Sequence, residues 1–356
     1  MNLNQWERRN CLEDLSVVYL LLGPACNMTC RHCVQTPIKN TFSCTPVGGE
    51  IAQDVVNFVV RWANLPPLRS GNSRRFYFWG GEPLLYWETI KSLVEKFESL
   101  GVGELGYRIF TNGLLLNDEI IDYANEHNIW IIMSHDAPNA TAVRNTVPSD
   151  EKCELLLKAN KRTVNAVFSA LNDDIVNTLD YLENKFPNTE ITVGFINVLS
   201  EMPADIYAFK EGRVARAIER LAEKASNGDK HAKNWFNRKV MRGGIFNKRE
   251  FEKYPFPPCC PGLTSLSMDF KGNIMRCHND NFVIAHISEA FEDIQAKHID
   301  VWRELLPKNC VDCECLSMCR CCCPIALQTE DKSELVYCDF LREFWGKIKE
   351  VGFSTF

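Results

Sequence analysis

From Ser16 to about Ala225, short β-like runs alternate with runs of helical period. VVYLLLG (17–23) is an unbroken apolar run of strand length. EIAQDVVNFVVRW (50–62) sets Ile51, Val55, Phe58, Val59 and Trp62 on one helical face. RFYFWGG (75–81) reads as a strand ending in two glycines. WETIKSLVEKFESL (87–100) spaces Trp87, Ile90, Leu93, Val94, Phe97 and Leu100 helically, and Gly101 follows as a stop. YRIF (107–110) runs into the turn Thr111-Asn112-Gly113, and DEIIDYANEH (118–127) is the next helix. IWIIMS (129–134) is a strand followed by His135 and Asp136. A helix near 150–160 precedes the strand TVNAVFSA (163–170). Ile175, Val176, Leu179, Leu182 and Phe186 form a further helical stripe. EITVGFINVL (190–199) is the sixth strand and DIYAFKEGRVARAIERLAEKA (205–225) the sixth helix.

Six βα units in series predict an α/β fold with a parallel sheet, either an open doubly wound sheet or a partial barrel. Ligands bind such sheets at the C-terminal ends of the strands. Cys26 to Cys33, Gly80 to Glu82, Thr111 with Asn112, and Ser134 with Asp136 all fall there. The expected organisation is an N-terminal segment (1–15), the βα domain (16–225), a polar and basic linker or substrate-facing segment (226–256), and a Cys-rich domain (257–356). In the last part, SLSMDFKGNIMRC (265–277) alternates around Lys271-Gly272-Asn273 as a hairpin, and DFLREFWGKIKEVG (339–352) is an amphipathic helix.

The 356 residues are 46% hydrophobic and 24% charged, an ordinary globular balance. A net charge of −6 without a Lys/Arg block argues against nucleic acid as a partner. No apolar run approaches the roughly 20 residues of a bilayer span, and the polar start MNLNQWERRN lacks a signal-peptide core. A cytoplasmic protein with no membrane partner is expected. The seventeen cysteines change the picture, because all but Cys11, Cys44 and Cys153 are clustered. In a reducing compartment, clustered thiolates at short spacing bind metal.

Cys26-Asn-Met-Thr-Cys30-Arg-His-Cys33 puts three thiols on one tight loop. Three thiolates can hold three irons of a [4Fe–4S] cube and leave the fourth open. Spacing alone also admits zinc, although His32, lying between two ligands, is poorly placed to close a tetrahedron. Gly80-Gly81-Glu82-Pro83 after the second strand alters the balance. The combination resembles the radical SAM superfamily, whose hallmark is C-x3-C-x2-C after the first strand of a partial (β/α)6 TIM-like barrel and a GGE-type motif after the second.

The resemblance implies that Cys26, Cys30 and Cys33 hold the cluster and that its open iron binds S-adenosylmethionine (SAM). It further implies that Gly80, Gly81 and Glu82 contact the methionyl amine, largely through backbone. His32 occupies the place of an aromatic residue whose backbone meets the adenine. Ser134 and Arg144 match residues that hold ribose and carboxylate, and Asp136 and Asn112 are further candidates. The alternative for Ser134, Asp136 and Asn112 is turn or cap chemistry. One electron then cleaves SAM to a 5′-deoxyadenosyl radical, which removes hydrogen from the substrate. An electron donor such as flavodoxin or ferredoxin is implied.

The later cysteines run Cys260, Gly272, Cys277, then Cys310, Cys313, Cys319, Cys323 and Cys338. This C-x(9–15)-G-x4-C … C-x2-C-x5-C-x3-C … C order resembles the SPASM domain, a small α+β extension with short hairpins that carries two auxiliary [4Fe–4S] clusters. Carried over, Cys277, Cys323 and one of Cys259 or Cys260 hold the first cluster. Cys310, Cys313, Cys319 and Cys338 hold the second. Both spacings fit at 259 and 260, so that choice stays open, as does a first cluster with an open iron. Cys315, Cys321 and Cys322 lie outside the pattern, as packed free thiols or alternative ligands.

SPASM enzymes act on peptides or proteins, which implies a maturase that oxidatively modifies or cross-links a ribosomal precursor peptide through a C–C or thioether bond. Leader binding then falls to the barrel, the 226–256 segment or a separate protein. In the related sulfatase maturases an Asp follows the G-x4-C cysteine; here it is His278, with Asp280 two further on. Either could serve as the base, or both could be solvated hairpin residues. A formylglycine-forming maturase and a non-catalytic iron–sulfur or zinc scaffold are the alternatives.

Overall fold

A computed structural model describes residues 12–35, 50–68, 73–102, 105–136, 138–196, 202–242, 264–305, 338–339, 342–348 and 350–351. Strands β1 (Val17–Gly23), β2 (Arg75–Gly80), β3 (Gly106–Thr111), β4 (Trp130–Ser134), β5 (Arg162–Phe168) and β6 (Glu190–Phe195) pair in series, all parallel. This is the mixed α/β architecture with a parallel core that the alternation predicts. The intervening helices are α1 (Gln53–Ala63), α2 (Trp87–Ser99), α3 (Asp118–Glu126), the short α4 (Ala140–Val143), α5 (Asp150–Leu157) and α6 (Ile175–Lys185). After β6 come α7 (Ala204–Tyr207), α8 (Arg213–Ser226) and α9 (Lys230–Arg242).

Helix starts follow local chemistry. The side chains of Asn117, Ser149 and Asp174 accept from the backbone N–H groups of Ile120, Lys152 and Asn177, satisfying donors that a first turn leaves open. One face of the sheet packs on the helices through Val18, Leu20, Phe76, Phe78, Ile109, Ile131, Val164 and Val193, all buried. The other face carries Val17, Tyr19, Tyr77, Phe110, Trp130 and Ile132 as a separate cluster. Period-two alternation makes this division.

Two expectations need correction. The run 205–225 is two helices, because the chain breaks at 208–212 and Gly212 takes φ 70°. Residues 230–242, expected as part of a linker, are helical. Ala232, Trp235 and Phe236 are buried, and Trp235 Nε1 donates to the Val193 carbonyl at 3.2 Å. That contact covers the β6 edge of the sheet.

The predicted hairpin is present as β7 (Ser265–Met268) and β8 (Asn273–Met275), followed by β9 (Val283–His286) and α10 (Phe291–Leu305). At the turn Gly272 has φ 88°, and a Cβ there would lie 2.7 Å from Ile287. The hairpin does not stand apart. β7 pairs parallel with β1, so one nine-stranded sheet runs β6-β5-β4-β3-β2-β1-β7-β8-β9. Residues 342–348 are helical, with Phe344, Trp345 and Ile348 in the main core. Among the described residues no helix is long and apolar enough to cross a membrane.

Candidate active site

The loop after β1 carries Cys26, Cys30 and Cys33, each half-buried and unbridged. The short helix α4, the residues after it and the turn after β3 hold it in place. Arg31 N–H donates to the Val143 carbonyl (2.9 Å), Thr29 N–H to Asn145 Oδ1 (3.3 Å), and Asn145 Nδ2 to Thr29 Oγ1 (2.9 Å). Asn112 Nδ2 donates to Asn27 Oδ1 (2.7 Å) and lies 4.0 Å from Cys26 Sγ. Met28 N–H donates to the same sulfur (3.4 Å), and Arg144 Nη1 lies 3.9 Å from Cys30 Sγ.

These groups fit an iron–sulfur cluster. N–H donors aimed at sulfur stabilise thiolate ligands. Burial pushes the Cys30 thiol up to about 11, with Arg144 pulling it back and the neighbouring thiols and Asp136 adding to the rise. A bound cation is what turns such thiols into thiolates.

The GGE segment lies beside the loop. A Cβ on Gly80 would sit 2.4 Å from the Gly23 carbonyl oxygen, and one on Gly81 2.3 Å from that of Ala25. The backbone N–H groups of Gly81 and Glu82 donate to those two carbonyls at 2.9 and 2.8 Å. Both glycines are therefore required for close backbone passage. The Glu82 side chain is 1% exposed and faces the protein. It accepts from Leu84 N–H (3.0 Å), Thr111 Oγ1 (2.8 Å) and Asn112 N–H (2.7 Å). Burial pushes its carboxyl up, and those donors pull it down.

At the end of β4, Asp136 is fully buried. It pairs with Arg144 Nε at 2.5 Å, lies 3.3 Å from His32 Nε2 and accepts from Val167 N–H at 2.6 Å. Burial holds His32 below its usual pKa, so its ring is neutral. This amends the roles drawn from the resemblance. Asp136, Arg144 and Asn112 spend their side chains on the protein and the cysteine loop. Ser134 is half-buried at the end of β4, on the sheet face away from the helices.

Cys277 is buried, and Asn279 N–H donates to its sulfur at 3.2 Å. His278 is half-buried: it stacks on Tyr19 (4.3 Å, 15°) and meets Trp79 edge-on (4.7 Å). Burial lowers it to about 4, so it is neutral near pH 7. Asp280 is buried, ion-paired with Arg276 and accepts from Phe282 N–H at 3.2 Å. It closes its own loop and is withdrawn as a candidate base. Cys338 is half-buried and helical, while Cys259, Cys260, Cys310, Cys313, Cys319 and Cys323 lie outside the described residues.

The sequence places Thr111 at the ligand-facing end of its strand without its bond to Glu82, and gives no sign of Asn27 as an anchor or of the aromatic inner face. That face is legible in phase: Tyr77 on β2 lies opposite Arg108 on β3, and the Trp79 ring meets that of Phe110 at 4.9 Å.

Comparison with known proteins decides the family. The profile of the radical SAM superfamily matches residues 20–209. The chain belongs to the radical SAM superfamily. SAM and a [4Fe–4S] cluster are the superfamily's cofactors, and the Cys26–Cys33 loop fits the cluster. A curated relative, the radical SAM cyclopropyl synthase TigE of Paramaledivibacter caminithermalis, is 22% identical over 345 residues, covering 89% of this chain and 69% of that one. The solved structure of native anSMEcpe with bound AdoMet superposes with a TM-score of 0.68 at 17% identity, over 96% of this chain and all of that one. Streptococcus suis SuiB bound to its precursor peptide SuiA gives 0.59 at 16% identity, over 90% and 74%. At these identities the two structures speak for the fold.

Proposed function

We propose that this chain is a peptide-modifying radical SAM enzyme that removes hydrogen from a ribosomally made precursor and joins or oxidises the resulting centre. One observation carries the reading. His278, next to Cys277, stacks on Tyr19 of β1, whose own C-terminal end leads into the Cys26 loop. Two cysteine regions thus border one aromatic face. The relative named as a cyclopropyl synthase and the neighbour bound to a precursor peptide support that substrate class and C–C bond formation.

Cys26, Cys30 and Cys33 would hold the SAM cluster, which when bound supplies a 5′-deoxyadenosyl radical for hydrogen abstraction. Cys277 and Cys338, with the 259–260 pair, Cys310, Cys313, Cys319 and Cys323, would hold two auxiliary clusters of a SPASM region. The residues around them orient and exclude water. Glu82 fixes the β2 loop to β3, Asp136 fixes Arg144 beside Cys30, and Tyr19, Trp79 and Phe110 form an apolar wall. Neutral His278 can accept a hydrogen bond there. A low-potential donor such as flavodoxin or ferredoxin and a leader-binding partner complete the system.

Anaerobic reconstitution should give 5′-deoxyadenosine under reductant, and co-expression with a small peptide encoded beside this gene should remove two hydrogens from it. A formylglycine mass would instead establish the sulfatase-maturase reading, which the fold shared with anSMEcpe keeps in view. Zinc in place of iron would establish a scaffold and overturn the proposal.

A further inference from the structure

The inner sheet face, away from the helices, holds two guanidinium groups that have no counter-ion among the described residues. Arg108 on β3 pairs in register with Tyr77 on β2 and Trp130 on β4. Its guanidinium carbon lies 4.4 Å from the Trp130 ring centroid and 5.7 Å from that of Tyr77. Trp130 is fixed in turn, its Nε1 donating to Thr163 Oγ1 at 2.8 Å. Among the described residues no carboxylate lies within ion-pair distance of Arg108 and no acceptor within hydrogen-bond distance.

Arg75 lies two residues before Tyr77 on the same face. Its buried Nε has no hydrogen-bond partner, and it too lacks a carboxylate among the described residues. Gly106 opposite it leaves room, with the Arg75 Cγ 3.8 Å from where a Cβ would stand. Among the described strand residues, the other charged group on this face is Glu190, three strands from Arg108 on β6, where Thr163 Oγ1 approaches it at 3.5 Å.

A half-buried arginine stacked on aromatic rings keeps its planar edge free for two parallel hydrogen bonds to a carboxylate. We propose that Arg108, assisted by Arg75, binds a carboxylate of the substrate, supplied by an acidic side chain or by a peptide C-terminus. Arg108 stands four residues before Asn112, about 13 Å along the strand. The carboxylate therefore lies two to four residues along an extended peptide from the residue under the SAM pocket. This rests on the peptide-modifying reading above and names the chemistry of its substrate.

The test is anaerobic calorimetric titration of the reconstituted enzyme with three hexapeptides of one otherwise neutral sequence. One carries a central Glu and an amidated end, one Gln and a free C-terminus, and one Gln and an amidated end. One of the two carboxylate peptides should bind about 10- to 100-fold tighter than the neutral peptide, as expected for charge-assisted hydrogen bonds, and which one identifies the source. The advantage should vanish in Arg108→Gln and survive in part in Arg108→Lys, with near-ultraviolet circular dichroism checking the fold of both. Equal binding of all three, no saturable binding of any, or an advantage that survives Arg108→Gln overturns the proposal. Absence of 5′-deoxyadenosine from the wild-type preparation would instead defeat the parent reading.

Discussion

Replacing Glu82 by Gln changes one heavy atom in a side chain that is 1% exposed. The carboxylate accepts two hydrogen bonds at Oε1, from Leu84 N–H and Thr111 Oγ1, and one at Oε2, from Asn112 N–H at 2.7 Å. Gln offers a single acceptor oxygen. Turned one way, its NH2 meets Asn112 N–H, donor against donor. Turned the other way, it meets Leu84 N–H. The Thr111 hydroxyl cannot rescue the second arrangement without cost, because it already accepts from Gly113 N–H at 3.0 Å. Either orientation leaves one buried backbone donor unpaired, which costs about 1–3 kcal/mol, partly offset by removal of a desolvated charge. Glu82→Ala strands two backbone donors and costs more, about 2–6 kcal/mol.

Thermal unfolding of the reconstituted protein under anaerobic conditions should rank wild type above Glu82→Gln above Glu82→Ala. Thr111→Val combined with Glu82→Gln should be non-additive by about 0.5–3 kcal/mol. SAM affinity should fall in the same order, because Gly81 and Glu82 hold the start of the cysteine loop through Gly23 and Ala25. A Gln variant as stable as wild type, or an Ala variant milder than Gln, would refute the role given to this carboxylate.

Asp136→Asn should cost about 3–5 kcal/mol and lower the bound iron, because it leaves buried Arg144 without its counter-ion beside Cys30; iron content and melting temperature check it. Trp235→Ala should cost about 3–5 kcal/mol in denaturant unfolding, since it empties a buried site against Phe344 and frees the Val193 carbonyl. Burial lowers His135 to about 4, with Lys185 adding to it, and burial lowers His298 to about 4. Between pH 6.5 and about 4 the unfolded chain therefore binds protons that the folded chain refuses, and stability falls as the pH falls. Melting temperatures across that window should drop, and less steeply in His135→Gln.

The strands and most helices were legible because each is a short β-branched or aromatic run, or an apolar stripe, bounded by Gly, Asn or Asp. Helix α9 was hidden because KHAKNWFNRKVMR holds one short apolar patch, Ala232 with Trp235 and Phe236, amid basic residues. Gly212 was the visible signal for the break before α8 and was passed over. The cysteine spacing marked the site, but the partners of Glu82 and Asp136 come from other strands and leave no local trace. His278 looked solvated because a hairpin position says nothing of the Tyr19 ring it meets.

The β1–β7 pairing bears most on how the site works. β1 ends in the Cys26 loop, pairs with β2 on the side that leads to Gly80 and Gly81, and pairs with β7 on the side that leads through β8 to Cys277. A linker joining two domains would leave the distance between the cysteine regions free to vary. Here strand register sets it, with Tyr19 opposite both Tyr77 and Ser267. A slip of one residue in β7 would turn its inward residues toward the helices and displace His278 from the Tyr19 ring. The hairpin therefore belongs to the inner face that a substrate would meet, and its register is as much a part of the site as the thiols.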